Sequence, residues 1–150
     1  MFSLGEIIDL AIQVEKNGEK TYRKAQKEVK DRNLASVLEW LADDEKAHEK
    51  WFHDLKKGIN EKIEDVRLEE MGKKILASVL GEQSFSMADA DFSRIKDVNA
   101  LLELSLEFEK DTILFYEMIK AFVDDEKVSA GLDKIIREEN AHVKKLEEMI

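Results

Sequence analysis

The chain has 150 residues, no cysteine, no proline and a formal net charge of −10, with 39% of its residues charged. That length suits a single domain over residues 1–150 with a real core. The lack of cysteine excludes disulfides, iron–sulfur clusters and thiolate nucleophiles, and the acidity excludes a nucleic-acid face while favouring small cations.

No apolar run reaches the length of a membrane span or a signal-peptide core, so a soluble, cytoplasmic chain with no membrane partner is expected. Ser3 opens the first helix, with Glu6 completing a capping box. Its inward seam reads Leu4, Ile8, Ala11, Glu15, Gly18, Tyr22, Ala25 and Val29, interrupted by a single acid. This helix ends near Asp31-Arg32-Asn33, and Asn33 is the candidate cap of the next. The second seam reads Leu34, Leu38, Leu41, Glu45, His48, Phe52, Leu55 and Ile59, and Gly58 with Asn60 stops it. A tight turn makes the two helices antiparallel and sets Glu15 opposite Glu45 at mid-height.

The pattern breaks from 60 to 96. Ile63, Val66, Met71, Ile75 and Val79 predict a short amphipathic helix ending near Gly81, and the stretch after it is loop-like with Phe85, Met87 and Phe92 as anchors. So long a connection is needed when the chain must travel the length of a bundle, which predicts a four-helix bundle of the crossover type. The third helix, begun by Asp97, has the seam Val98, Leu102, Ser105, Glu109, Thr112, Tyr116, Ile119 and Val123. The fourth follows Asp124-Asp125 with Val128, Leu132, Ile135, Glu139, His142, Leu146 and Met149.

The two halves repeat one another. Asp44-Glu45-Lys46-Ala47-His48 returns ninety-four residues later as Glu138-Glu139-Asn140-Ala141-His142, and the same offset relates Glu15 to Glu109 and Tyr22 to Tyr116. The reading is an internal duplication, 1–59 and 97–150, that builds a metal site from two half-sites. A single seam histidine is most simply a core histidine with a partner. Four glutamates converging in a core are another matter, since an uncompensated buried carboxylate costs several kcal/mol or takes up a proton. No Lys or Arg stands on the seams at that height, whereas two divalent cations would balance four carboxylates, and carboxylate with imidazole suits iron or manganese. The i, i+3 spacing of Glu45 with His48 and Glu139 with His142 puts each pair on one helix face. His53 lies off the seam and reads as surface.

At these residues the chain resembles the ferritin-like di-iron carboxylate superfamily, most closely the rubrerythrin diiron domain, over essentially its whole length. The resemblance implies a ferritin-like four-helix bundle holding two iron ions, with manganese as the alternative metal. Glu45 and Glu139 would bridge the metals, Glu15 and Glu109 would be terminal carboxylates, and His48 and His142 terminal imidazoles. It further implies that Asp44 holds His142 and Glu138 holds His48, each acid fixing the tautomer of the opposite motif's imidazole. There are departures. The family's additional glutamate, three residues after the ligand of the third helix, is here Thr112, and the cysteine-ligated rubredoxin domain has no counterpart, so electrons would have to come from another protein.

The function implied is reduction of hydrogen peroxide, or reaction with dioxygen, in oxidative-stress defence, with an external donor such as a rubredoxin-like protein and a homodimer as the expected assembly. Ferroxidase and iron storage, a manganese catalase-like activity and a non-enzymatic helical scaffold are the alternatives. Tyr22 and Tyr116 lie two turns from the terminal glutamates, where they can hydrogen-bond a ligand carboxylate, act in redox chemistry or simply pack. Gly18 and Thr112 hold matching places in the two halves, and both are small where a core wants bulk. They are read as a pocket for an exogenous ligand, with the Thr112 hydroxyl facing it, the alternative at Gly18 being close helix packing. Trp40 and Trp51 are read as packing or a dimer contact.

Overall fold

Periodic apolar seams, good helix formers and the lack of proline give four α-helices and no strand among the described residues of the computed structural model, which are 4–58, 98–121 and 123–150. They are α1 (Leu4–Glu28), α2 (Arg32–Gly58), α3 (Val98–Lys120) and α4 (Glu126–Met149). The expected all-α, ferritin-like bundle is the fold observed. Ser3, the end of the second seam at Ile59 and Asn60, the helix and loop expected over 60–96, and Asp97 lie outside the described residues.

Two carboxylates start helices. Asp31 Oδ1 accepts the Leu34 N–H at 3.0 Å, so the cap of α2 is Asp31 and not Asn33, which lies inside the first turn. The turn from α1 is thus tighter than the sequence reading had it. Asp125 caps α4, accepting from Lys127 N at 2.8 Å and Val128 N at 3.2 Å. Lys56 and Lys57 in the last turn of α2 oppose its dipole.

Cross-helix contacts give the directions. Lys56 Nζ reaches Asp9 Oδ1 at 2.6 Å and Arg23 Nη2 reaches Asp43 Oδ1 at 2.9 Å, so α1 and α2 are antiparallel. Lys120 with Asp133, and Lys110 with Glu147 at 3.7 Å, make α3 and α4 antiparallel. Tyr22 meets Glu109 and Tyr116 meets Glu15, which sets α1 against α3 in opposite senses. It follows that α2 and α3 run the same way, with the end of one and the start of the other at opposite ends of the bundle.

The buried side chains form two apolar layers with a polar belt between them. Ile8, Phe52, Ile119 and Leu132 fill one side, and Ala25, Leu38, Leu102 and Leu146 the other. Between them Glu15, Glu45, Glu109, Glu139, His48 and His142 are all buried. Aromatic rings close the belt, with Tyr22 edge-on to Phe108 at 6.4 Å and Phe52 tilted against Tyr116 at 5.2 Å.

Candidate metal centre

Each of the four helices delivers one glutamate to the belt, and α2 and α4 each add a histidine one turn further on. The six side chains fall into two overlapping groups, Glu15, Glu45, His48 and Glu139, and Glu45, Glu109, Glu139 and His142, each with its ligand atoms within 4.8 Å of one another. Glu45 and Glu139 belong to both groups, the position required of a ligand that touches two ions. His48 Nδ1 lies 2.9 Å from Glu139 Oε1 and 3.5 Å from Glu15 Oε1. His142 Nδ1 lies 3.2 Å from Glu139 Oε2 and 3.4 Å from Glu109 Oε1. Both imidazoles therefore turn Nδ1 inward.

Their outer nitrogens meet acids from the opposite motif. His142 Nε2 is 2.8 Å from Asp44 Oδ2, and His48 Nε2 is 2.6 Å from Glu138 Oε2, the cross pairs expected from the sequence. With the Nε2 proton shared outward, each ring can present an Nδ1 lone pair to the centre. Asp44 and Glu138 are themselves 30% and 35% exposed, which makes them the rim between the belt and solvent.

The donor set fits a pair of divalent cations. Glu15 Oε2, both oxygens of Glu45 and Glu109 Oε2 are buried with no hydrogen-bond partner. Buried carboxylate oxygens in a core this well packed call for a cation. Without one, protons take its place. Burial, followed by the charges of Glu139 and Glu15, holds the Glu45 carboxyl well above the ordinary 4.5. Burial and then Glu139 raise Glu109 to about 8, while Glu139, penalised by burial, is nonetheless lowered by hydrogen bonds from Glu109, His142 and His48. Burial also works against charge on the histidines. The surrounding carboxylates outweigh it, raising His48 to about 11 and His142 to about 12.

Both tyrosines reach across to the other half. Tyr22 donates to Glu109 Oε1 at 2.7 Å and Tyr116 donates to Glu15 Oε1, so each holds a belt carboxylate that is not on its own helix. Burial, and then the facing glutamates, keep both phenols protonated well above 10.

Two expectations change. A Cβ on Gly18 would stand 2.9 Å from Glu45 Oε2 and 3.2 Å from Phe108 Cε1. The space beside Gly18 is thus filled by the Glu45 carboxylate and the Phe108 ring, and close packing replaces the expected ligand pocket there. The Thr112 hydroxyl donates at 2.8 Å to Phe108 O in its own helix, so its proton is already committed and only a lone pair is left for anything in the belt. His53 is a surface residue, 46% exposed and 3.6 Å from Glu49. Trp51 lies over Gly131, where a Cβ would come within 2.1 Å of its ring, and edge-on to Phe52. The sequence reading missed the contact of Trp40, whose ring stands 4.8 Å from that of His142. Four residues separate Trp40 from Asp44 on α2, and that i, i+4 spacing was the available signal.

A family model described as Rubrerythrin matches residues 6–150. The chain belongs to the rubrerythrin family. Its fold is similar to that of a crystal structure described as a ferritin-like diiron-carboxylate protein from Thermotoga maritima, with a TM-score of 0.75 and 22% identity over 99% of this chain and 94% of that one. A comparison with curated proteins gives no match. The rubrerythrin-like belt described above is therefore a carboxylate and histidine site able to hold two metal ions. Among the described residues no helix is long and apolar enough to cross a membrane.

Proposed function

We propose that this rubrerythrin-family chain is a dinuclear iron oxidoreductase that reduces hydrogen peroxide, with dioxygen as the slower oxidant and an external one-electron protein as the source of electrons. The observation that supports it is the sharing of Glu45 and Glu139 by two ligand groups in which Glu15 Oε2, both Glu45 oxygens and Glu109 Oε2 are buried without a hydrogen-bond partner. In this reading two iron ions would be held by the six side chains, one by Glu15 and His48 and the other by Glu109 and His142, with Glu45 and Glu139 serving both.

A bound iron pair supplies two electrons together, matching the reduction of one peroxide to two waters with two protons. The chain's own residues prepare that chemistry. Tyr22 and Tyr116 hold Oε1 of Glu109 and Oε1 of Glu15, which limits how far those carboxylates can swing. Asp44 and Glu138 hold the imidazole rings in orientation. The apolar layers on either side keep bulk water from the belt and strengthen every charge interaction in it. Gly18 gives Glu45 the clearance to sit where both ligand groups need it.

The deciding experiment loads the protein with Fe(II) without air and follows ferric absorbance after mixing with peroxide or with dioxygen. Faster oxidation by peroxide is expected. Faster oxidation by dioxygen, with more than two irons gathered per chain, would replace this reading with ferroxidase and storage. Gas evolution from peroxide without reductant, best with manganese, would replace it with a catalase, and inertness would leave a helical scaffold.

A further inference from the structure

The two histidines of the belt have different neighbours toward solvent. On the His142 side the indole of Trp40 stands edge-on, with ring centroids 4.8 Å apart and planes at 83°, and Trp40 is 38% exposed. The position ninety-four residues after Trp40 is Lys134, whose Nζ lies 3.9 Å from Glu138 Oε1. The His48 side is therefore flanked by an ion pair and not by an aromatic ring. Tyr22 and Tyr116 also touch belt carboxylates, but they have no exposed surface. Trp51, the second tryptophan of the chain, packs on Gly131 and Phe52. Among the described residues Trp40 is the oxidisable ring that meets both a belt ligand and solvent.

Packing alone does not call for an indole there. A half-exposed large aromatic contributes little burial, and an aliphatic side chain would cover the His142 ring as well. Electron transfer does call for it, because coupling falls steeply across empty space and is best through rings in contact.

We propose that Trp40 is the point at which electrons pass from an external one-electron donor into the metal centre, by way of His142. This rests on the redox reading above. In each transfer the donor is oxidised by one electron and one oxidised metal ion is reduced by it, the added negative charge being balanced by a proton taken up by the carboxylate set. Two transfers return the pair to its reduced state. On α2 beside Trp40, Glu39 and Asp43 are exposed, Asp43 being paired with Arg23 at 2.9 Å, and half-buried Asp44 meets His142; the net charge of −10 over the whole chain favours a donor with a basic contact surface, and the transfer is slowed by salt.

The experiment uses the full chain loaded with iron, oxidised, and mixed with the methyl viologen radical cation, whose colour loss reports electron uptake. Trp40→Phe keeps an aromatic ring beside His142, and Trp40→Leu covers it with an aliphatic side chain. Uptake is expected to slow about tenfold in Trp40→Leu, to stay near the wild-type rate in Trp40→Phe and to be unchanged in Trp51→Phe, at equal iron content. A packing role would leave the Leu and Phe variants alike, and that result, or a wild-type rate in Trp40→Leu, overturns the relay. A second readout needs no redox turnover. Cobalt(II) should quench the indole emission of Trp51→Phe, whose remaining tryptophan is Trp40. Cobalt bound with Trp40 emission unchanged also overturns the relay. A wild-type protein that is quenched by cobalt yet takes up no electrons when loaded with iron overturns the redox reading, and the relay with it.

Discussion

The Tyr22 hydroxyl on α1 donates to Glu109 Oε1 on α3 across 2.7 Å, tying one half of the chain to a ligand candidate of the other. Tyr22→Phe removes that donor and leaves the Glu109 carboxylate free to rotate. Outer partners of this kind change metal affinity by about 10-fold or more. Weaker binding at one of two metal positions is the expected result, read by calorimetric titration with Fe(II) or Co(II) under argon. Two equal, unshifted affinities would show that the bond does not position Glu109.

Glu45 combines full burial, two unpartnered oxygens and a raised pKa. Glu45→Gln keeps the shape and removes the charge, so the metal-free variant should unfold at or above the wild-type temperature, whereas the stabilisation conferred by metal should largely vanish. Thermal unfolding of both proteins with and without metal separates these effects. Retention of two metals per chain by the variant would remove Glu45 from the bridging role.

At Gly18 the smallest enlargement is informative. In Gly18→Ala the new methyl group would meet Glu45 Oε2 at 2.9 Å, so either the carboxylate or α1 must shift, at a cost of about 1–3 kcal/mol. Lower metal content and a lower melting temperature should appear together. Gly18→Leu should expel metal outright, in contrast to the simple blocking of azide expected had this been an open pocket. Metal analysis beside azide difference spectra distinguishes the two.

Asp44→Asn and Glu138→Gln leave each imidazole beside a neutral amide, which no longer favours the Nε2–H tautomer. A loss of about 10–100-fold in metal affinity is expected for each. Because His142 and His48 serve different ends of the belt, the two variants should weaken different metal positions. Identical binding curves would argue against that division.

The pH dependence has opposite signs with and without metal. Glu109 is raised from 4.5 to about 8, and His48 and His142 from 6.5 to about 11 and about 12, so the folded metal-free chain binds more protons than the unfolded chain. Stability linked to these groups is complete below the unfolded values and declines as pH rises, through about 8 for Glu109 and through 11 to 12 for the histidines. Glu139 acts in the opposite sense, but only below 4.5. Metal binding displaces the protons and so strengthens as pH rises. The melting temperature of metal-free protein should fall between about pH 5 and about pH 9 while its gap to the loaded protein widens. Parallel curves would mean that protons do not occupy the belt.

The duplicated Glu-x-x-His spacing, one acid on each of four apolar seams and the lack of cysteine determined the fold class and the membership of the belt, because helical periodicity converts sequence spacing directly into a shared face. Periodicity is silent on contacts between helices more than one turn from a motif. The sequence could place Tyr22 near Glu15, but only the packing of α1 against α3 sent its hydroxyl to Glu109. It could note that Gly18 is small, but whether the space beside it stays open depends on where the Glu45 side chain of another helix lies. The cap of α2 turned on a single backbone N–H, which Asp31 reaches and Asn33, already inside the helix, does not. Trp40 read as packing or a dimer contact until α4 brought the His142 ring against it. Local chemistry and period were written along the chain, whereas clearance, partner choice and exposure belong to pairs of residues far apart in sequence and are decided when the helices pack.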